Sequence, residues 1–285
     1  MKLLVFGQTG QVARELLRRV PVGVTVQALG RDRADLADPA ACAAAVAAAE
    51  ADAVINAAAW TAVDRAEAEE AAATVVNGDA PGAMARACAA RGLPFLQIST
   101  DYVFDGAGEA PFAPDHPTAP LGAYGRSKLA GEVGVRAAGG NALILRTSWV
   151  VSAHGSNFVK TMLRLGATRD SLDVVADQIG GPTPAAAIAD ALFAVARAMV
   201  GGQRGGTYHF AGAPEVSWAG FARAIMAAAG LGCRINDIAS SAYPTPARRP
   251  LNSRMECAGL LRDFGIARPD WRLGLAEILQ DLEAV

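Results

Sequence analysis

Three side chains near the middle of the chain, Thr100, Tyr124 and Lys128, are of the types that reduce a carbonyl group. Four positions separate Tyr124 from Lys128, so on a helix both project from one face, one turn apart. An ammonium beside a phenol stabilises the phenolate and would lower the pKa of Tyr124 from about 10 towards working pH. Such a phenol can protonate an oxygen that is gaining negative charge, with Thr100 hydrogen-bonded to the same oxygen. This spacing is common on surface helices, so the surrounding elements decide the interpretation.

The N-terminal segment is typical of a turn that binds a dinucleotide. An apolar run over Lys2–Phe6 predicts a buried strand, and the spacing over 13–20 predicts a helix. Between them, Gly7 permits a tight turn and Gly10 lets the backbone approach a pyrophosphate at the positive end of the helix. Ala13 stands where a third glycine is common, and it is small enough for close packing. Taken alone, the motif is also compatible with an ordinary βα turn.

Predicted strands and helices alternate after this turn, as they do in a parallel sheet. Gly7, Asn56, Thr100 and Thr147 all fall at the carboxyl ends of strands, where open α/β sheets bind their ligands. The sequence therefore predicts a Rossmann-type, doubly wound parallel sheet of the α/β class. The further strands are predicted over 24–29, 53–56, 94–99 and 142–148, and the helices over 39–50, 63–73, 80–91 and 124–138.

The pattern changes after Trp149, where turns become more frequent. Helices are still predicted over 156–166 and 185–199, with an extended segment over 173–178. We expect two units in the chain. They are an NAD(P)-binding domain of residues 1–150, to which about 176–206 return, and a smaller α/β substrate-binding lobe of residues 151–175 and 207–285.

Composition narrows the class of protein. The chain has 285 residues and a net charge of −2, which favours neither nucleic acid nor an anionic membrane as a partner. No apolar stretch reaches the roughly 18–20 residues that span a bilayer, and the N-terminus does not resemble a signal peptide. The cysteines lack metal or redox spacing, and the three histidines form no metal-binding pattern. We expect a cytoplasmic enzyme with buried thiols and no metal.

Seven segments of the chain together resemble the dTDP-4-dehydrorhamnose reductases, which are extended short-chain dehydrogenases. The likeness runs from residue 1 to about 254, and Trp271 fits the usual tail. The glycine turn and the Tyr–Lys motif are shared by a wider superfamily, whereas A-x-T-A-V-D, S-T-D-Y-V-F-D-G and R-P-x-N-S-R are far more restricted. The segments are G-x-x-G-Q from Gly7, N-A-A-A-W-T-A-V-D from Asn56, S-T-D-Y-V-F-D-G from Ser99, Y-G-x-x-K from Tyr124, R-T-S-W from Arg146, D-Q-x-G-x-P-T from Asp177 and R-P-x-N-S-R from Arg249.

The resemblance implies reduction of the C4 ketone of dTDP-4-dehydro-L-rhamnose to dTDP-L-rhamnose by NAD(P)H. Tyr124 would protonate the developing alkoxide and Thr100 would polarise the carbonyl. Lys128 would hold the nicotinamide ribose and keep the tyrosine pKa low. Asp101 and Tyr102 would contact the sugar. Trp149 would offer the 6-deoxy sugar an apolar face, although a core aromatic is the alternative.

A basic loop and the end of the second strand suggest contacts with phosphates. Arg249, Asn252 and Arg254 are expected to contact the substrate diphosphate or nucleotide, because arginine can form two hydrogen bonds with such a group. The alternative is a solvated basic turn. Arg31 favours NADPH through the 2′-phosphate, although the adjacent Asp32 could let NADH be accepted as well. The other cofactor-binding candidates are Gly7, Thr9, Gly10, Gln11, Val12, Asp35, Leu36, Ala58, Ala59, Trp60 and Lys128.

The chain departs from the family in one respect. Some members are thought to dimerise through Mg²⁺ held by glutamates, one of them in the helix after D-Q-x-G-x-P-T. The matching residue here is Ala186, and a lone Glu15 is more simply an exposed helix carboxylate. We therefore expect no bridging metal, and either a monomer or a metal-free homodimer.

Two other functions share parts of this pattern. A nucleotide-sugar epimerase or 4,6-dehydratase has the same fold and Tyr–Lys pair, but a dehydratase needs acidic residues beside the threonine. Here Tyr102 follows Asp101, which favours simple reduction. A non-catalytic regulatory subunit would not need Thr100, Tyr124 and Lys128 intact.

Overall fold

In the computed structural model, which describes residues 1–283, strands and helices alternate over the first half of the chain. The strands are β1 (Lys2–Phe6), β2 (Thr25–Leu29), β3 (Ala53–Asn56), β4 (Phe95–Thr100), β5 (Ala142–Thr147), β6 (Val150–Val151), β7 (Ser171–Val175), β8 (Ile179–Gly180), β9 (Thr183–Pro184), β10 (Thr207–His209), β11 (Val216–Ser217) and β12 (Arg234–Ile238). The α-helices are α1 (Gln11–Arg18), α2 (Pro39–Ala48), α3 (Val63–Ala68), α4 (Glu70–Thr74), α5 (Ala80–Ala90), α6 (Ala123–Ala137), α7 (Phe158–Gly166), α8 (Ala185–Val200), α9 (Trp218–Ala228), α10 (Ala258–Phe264) and α11 (Trp271–Glu283).

The central sheet has six strands in the order β10-β5-β4-β3-β1-β2. All its pairs are parallel. The chain passes from β1 outwards to β2 and then returns to the other side of β1 with β3. This reversal makes a crevice at the carboxyl ends of β1 and β3, where Phe6 pairs with Asn56. The predicted Rossmann-type α/β fold is confirmed, and β2 to β5 lie within one residue of the predicted bounds.

The sheet is apolar on both faces because helices cover both of them. Successive side chains of β1 point to opposite faces, so Leu3 and Val5 enter one core cluster and Leu4 and Phe6 enter another. The first cluster includes α1 and α8, and the second includes α2 and α5. The KLLVF run therefore folds as a strand that is buried from Leu3 to Phe6, with Lys2 exposed at its start.

A third core cluster lies outside the central sheet. It includes Val159 of α7, Leu172 of β7, Phe221 of α9 and Leu275 of α11. β7 pairs in parallel with β12. The helix α8 packs on α1 instead, and its Ile188 belongs to a cluster of the central sheet.

One predicted helix was wrong in its continuity. The segment predicted as a single helix over 63–73 is divided at Glu69, whose φ of −127° and ψ of 40° are not helical.

The four cysteines are buried and unpaired within residues 1–283, as the sequence predicts for inert thiols. No helix in the same part of the chain has both the length and the apolar character needed to cross a membrane.

Candidate active site

The carboxyl ends of β4 and β5 and the start of α6 meet at the centre of the site. Thr100 ends β4 and is paired in register with Thr147, the last residue of β5. Tyr124 and Lys128 lie on the first two turns of α6. The helix can approach the turn after β4 because Gly125 has no side chain, since a Cβ there would clash with the Tyr102 carbonyl oxygen. The fold therefore brings the three residues predicted to act together to one place.

Each of these side chains has defined neighbours. The Lys128 ammonium is buried and donates to the Ile98 carbonyl oxygen at 2.7 Å. The Thr100 hydroxyl accepts a hydrogen bond from the Tyr102 amide at 3.2 Å and lies 3.0 Å from Asp101 Oδ1. The rings of Tyr102 and Tyr124 meet edge to face, with centroids 5.4 Å apart. Neighbouring groups thus hold the lysine, the threonine and the tyrosine in place.

The prediction that Lys128 lowers the pKa of Tyr124 was wrong for the protein alone. Desolvation raises the pKa of Tyr124 well above its ordinary value, the charge of Asp101 raises it further, and the Thr100 hydroxyl opposes both. Lys128 is not among the groups that shift this pKa, and its ammonium donates to the Ile98 carbonyl. Burial also lowers the pKa of Lys128 to about 8, against the charge of Glu132. Tyr124 is therefore a protonated phenol at neutral pH, which is the state that a proton donor needs.

A buried ionic network beneath the site was missed by the sequence reasoning. Arg146 of β5 holds Glu132 of α6 through two hydrogen bonds, of 2.7 and 2.8 Å. Ser99 of β4 donates to the same carboxylate at 2.6 Å. One available signal was the position of Glu132, four residues after Lys128 on the same helix face. The network ties α6 to the two strands that end at the site.

His209 lies against this network, on β10. Its Nε2 is 3.3 Å from Arg146 Nη1. Burial lowers the pKa of His209 to about 3, and the arginine charge acts in the same direction. The imidazole is therefore neutral in the folded protein at neutral pH.

The turn after β1 fits a dinucleotide pyrophosphate. Gly7 has a φ of +111°, and a Cβ there would lie 3.3 Å from the Ala57 carbonyl carbon and 3.4 Å from Ala13 Cβ. Gly10 is exposed at the N-cap of α1, and no side chain within residues 1–283 caps this helix. The first amides of α1 can therefore bind an anion, as the predicted motif requires. Thr9 is exposed beside Gly10, and Val12 is buried.

The Gln11 side chain, a predicted cofactor contact, forms its hydrogen bonds with other residues of the protein. Its Oε1 accepts from Asn157 at 3.0 Å and from Ser152 at 3.2 Å, and its Nε2 contacts the Val150 carbonyl at 3.4 Å. The side chain therefore joins α1 to the segment after β5. The Gln11 backbone amide, as the first of α1, is the group of this residue that fits the expected contact with a pyrophosphate.

The segment after β2 lies beside this turn. Arg31 is exposed, and Asp35 caps its own turn by accepting from the Ala37 amide at 2.9 Å. Leu36 is buried in a cluster of the central sheet. A Cβ on Gly30 would lie 2.6 Å from side-chain oxygens of both Asp32 and Gln8, so polar groups crowd the end of β2.

The loop after β3 carries three more of the candidates. Ala58 and Trp60 are partly buried and Ala59 is exposed. Asn77 fixes this loop, since its amide accepts from the Trp60 N–H at 2.8 Å and donates to the Trp60 carbonyl at 3.0 Å. Asn77 lies in a π-helical turn over Val75–Asp79, a feature that no local sequence signal predicts.

Trp149 follows β5 in a strained conformation. Its φ is +49°, in the left-handed region that bulky residues rarely adopt. The indole stacks on Trp218 of α9, with ring centroids 3.6 Å apart and planes 12° apart. One face of the Trp149 ring is therefore covered by protein, and at most the other is available to a sugar.

The basic loop lies beside β8, where Ile179 pairs with Asn252 and where Gly180 lies next to both Trp149 and Ser253. Arg249 pairs with Asp64 at 2.8 Å. Asn252 is buried, where its amide donates to the Ala110 carbonyl at 2.8 Å and accepts from the Arg254 guanidinium at 3.1 Å. These bonds use the Asn252 side chain within the loop. The loop forms one wall of a cavity of about 750 Å³, whose lining includes Asp105, Gly106, Gln178, Tyr243, Arg248 and Arg249.

The expectation that Glu15 is an exposed helix carboxylate was wrong. Its side chain is 2% exposed and pairs with Arg18 at 3.0 Å, and His154 Nε2 lies 3.4 Å away. Residues distant in sequence bury it, with α11 contributing Glu277 and Asp281 to the same ion-pair cluster. Across residues 1–283 no group of three acidic, histidine or cysteine side chains could hold a metal ion. Because arginine occupies the carboxylate and Ala186 has no ligand atom, these residues do not fit a bridging Mg²⁺.

The fold and the site define a class of protein, the dinucleotide-dependent oxidoreductases of the short-chain type. The defining features are the doubly wound sheet, the glycine turn and the three side chains Thr100, Tyr124 and Lys128. Comparison with known proteins narrows this class. The family model described as the RmlD substrate binding domain matches residues 1–284. The chain is 48% identical over 295 residues to the dTDP-4-dehydrorhamnose reductase of Burkholderia thailandensis, covering 99% of each chain. It therefore belongs to the RmlD family, that of the dTDP-4-dehydrorhamnose reductases, as the seven motifs indicate.

Two solved structures are similar over nearly the whole length. The dTDP-4-dehydrorhamnose reductase of Clostridium acetobutylicum superimposes with a TM-score of 0.93 at 33% identity, covering 99% of this chain and 100% of that chain. The Bacillus anthracis enzyme of the same name, solved in complex with NADP, has a TM-score of 0.91 at 31% identity, with coverage of 98% and 99%.

Proposed function

We propose that this protein reduces the C4 ketone of dTDP-4-dehydro-L-rhamnose to dTDP-L-rhamnose, with NADPH as the reductant. The observation that carries the proposal is the meeting of Thr100, Tyr124 and Lys128 at the carboxyl edge of the sheet, beside the glycine turn. The names and the NADP complex of the related enzymes support the substrate and the cofactor. The buried free thiols suit a reducing cytoplasm.

The residues present fit NADPH, which when bound supplies the hydride. Gly7, Gly10 and the first amides of α1 would hold the pyrophosphate. Arg31 is placed after β2, where it would bind the 2′-phosphate. Lys128 would donate to the nicotinamide ribose, since its ammonium has three hydrogens and the Ile98 carbonyl takes one of them.

Proton transfer is assigned to Tyr124. Its raised pKa keeps the phenol protonated at neutral pH until the ketone oxygen gains negative charge. The phenol then gives its proton to that oxygen while the Thr100 hydroxyl donates a hydrogen bond to it. General acid catalysis of this kind contributes about 10²–10⁴ in rate.

The substrate is assigned to the side of the site that faces away from β1. The cavity beside Arg248 and Arg249 provides cationic donors for a diphosphate and space for a nucleoside. The uncovered face of Trp149 would receive the 6-methyl group. We propose that residues 151–175 and 207–285 form the lobe that supplies these contacts.

The test is turnover of purified protein with dTDP-4-dehydro-L-rhamnose and NADPH. We expect consumption of NADPH in proportion to substrate, and NMR of the product should give the rhamno configuration at C4. A product epimeric at C4 would contradict the assigned product, dTDP-L-rhamnose. No NADPH oxidation, together with tight binding to another protein, would favour a non-catalytic subunit instead.

A further inference from the structure

The Asp101 side chain has an environment that the proposed reaction does not yet explain. It directly follows Thr100 and is 3% exposed. Its Oδ1 lies 3.0 Å from the Thr100 hydroxyl oxygen. Its Oδ2 is buried without a hydrogen-bond partner among residues 1–283. Hydroxyl and amide groups, rather than a cation, are what stabilise its charged form.

The Thr100 hydroxyl can form only a limited set of hydrogen bonds. It has one hydrogen and two lone pairs. The Tyr102 amide uses one lone pair, at 3.2 Å. A charged Asp101 can only accept, and as a charged acceptor it outcompetes the neighbouring Tyr124 phenol for the single hydrogen of Thr100. In that state Thr100 has no hydrogen for a ketone oxygen.

A neutral Asp101 reverses this hydrogen bond. With its proton on Oδ1, the acid donates to the second lone pair of Thr100, whose own hydrogen is then free. The buried Oδ2 becomes a carbonyl oxygen, and a neutral oxygen without a partner costs less than a charged one. The neutral acid therefore suits both the buried site and the orientation of Thr100.

We propose that protonation of Asp101 turns the Thr100 hydrogen towards the substrate ketone, which makes Asp101 a positioning residue of the reduction. This inference rests on the proposed function. The active form of the enzyme is the one in which Asp101 is neutral, so turnover falls as Asp101 ionises.

The surroundings of Asp101 place its ionisation at a pH where enzyme activity can be measured. Burial raises the pKa of Asp101 to about 6, and the hydroxyl groups of Ser253 and Thr100, with the local backbone amides, oppose the rise. The titratable side chains that its charge acts on are Tyr102 and Tyr124, and both keep their protons at neutral pH, since desolvation raises both pKa values. Lys128 on α6 loses its proton only near pH 8. A transition near pH 6 that disappears in Asp101→Asn is therefore assigned to Asp101.

The experiment is the pH profile of kcat/KM, which reports the groups of the free enzyme, for the wild type, Asp101→Asn and Thr100→Val. We expect wild-type kcat/KM to fall by about 10² as pH rises through the Asp101 transition, the effect of losing one donor to the oxyanion. In Asp101→Asn the amide hydrogens can donate to Thr100 at every pH, so that transition should vanish. Thr100→Val should be slow throughout and should show no Asp101 transition, because it has no hydroxyl hydrogen to turn.

Two results would overturn the proposal. One is a wild-type transition that persists in Asp101→Asn, and the other is an Asp101→Asn enzyme as slow as Thr100→Val at every pH. Thermal melts and NADPH binding establish that each variant is folded.

Should Asp101→Asn not fold, Ser253→Ala replaces it. Loss of the Ser253 hydroxyl should raise the pKa of Asp101 and so move the Asp101 transition to higher pH. A transition that stays in place or moves to lower pH refutes the proposal. A wild type that oxidises no NADPH refutes the proposed function instead.

Discussion

Replacing Arg146 with methionine tests whether the buried ionic network holds α6 against the sheet. The guanidinium is 1% exposed, forms two hydrogen bonds with Glu132 and donates to the Pro114 carbonyl at 3.0 Å. Methionine keeps an unbranched apolar stem but removes the charge. Glu132 then remains buried, with Ser99 and the partly exposed Arg136 as its partners.

Removing one member of a buried ion pair costs about 3–5 kcal/mol. Since Ser99 and Arg136 still contact the carboxylate, we expect the lower end, about 3 kcal/mol. At about 2–4 °C per kcal/mol this lowers the melting temperature by about 6–12 °C. We also expect kcat to fall, because Tyr124 and Lys128 lie on the helix that the network anchors.

Thermal unfolding followed by circular dichroism at neutral pH measures this effect. Arg136→Met is the matched control, since it removes an exposed partner of the same carboxylate and should cost at most about 1 kcal/mol. Adding Glu132→Gln to Arg146→Met should recover part of the loss, because the unpaired charge is gone. Equal melting temperatures for the two arginine variants, or a double variant less stable than Arg146→Met, would refute the reasoning.

Three further predictions concern the sheet, the cofactor and the substrate. Burial and Arg146 lower the pKa of His209 to about 3. The unfolded chain therefore binds more protons below pH about 6.5, and stability should fall by about 1.4 kcal/mol per pH unit down to about pH 4. Urea unfolding of His209→Gln should show a shallower fall, and an unchanged slope contradicts this. Arg31→Ala should weaken NADPH binding at least about tenfold by fluorescence titration, with NADH binding and the Arg33→Ala control little changed. Trp218→Ala should raise the substrate KM about three- to tenfold by releasing Trp149, with NADPH affinity unchanged; an unaltered KM argues against a role for the stack.

The sequence predicts the central sheet well because its signals are local. A strand covered on both faces is an apolar run, and β3 has the predicted bounds of 53–56. The glycine turn is equally readable, since its positive φ at Gly7 requires a residue without a side chain. The positions of Thr100 and Tyr124 follow from these elements, because parallel strands end at one edge of a sheet.

What the sequence could not predict depends on contacts between distant segments. The raised pKa of Tyr124 comes from desolvation and from the charge of Asp101, neither of which a Tyr–Lys spacing specifies. Glu15 is buried because α11, more than 250 residues later, closes over it. Arg146 meets Glu132 only because β5 lies under α6 in the folded chain.

The central claim is that Tyr124 gives the proton to a ketone held beside Thr100. Single-turnover oxidation of NADPH by Tyr124→Phe, with dTDP-4-dehydro-L-rhamnose as substrate, tests it most directly. We predict a rate about 10²–10⁴ lower than that of the wild type, with the dissociation constant of NADPH within about twofold, because only the phenolic hydroxyl is removed. A near-normal rate in this variant would mean that the proton comes from another group, and would contradict the assignment.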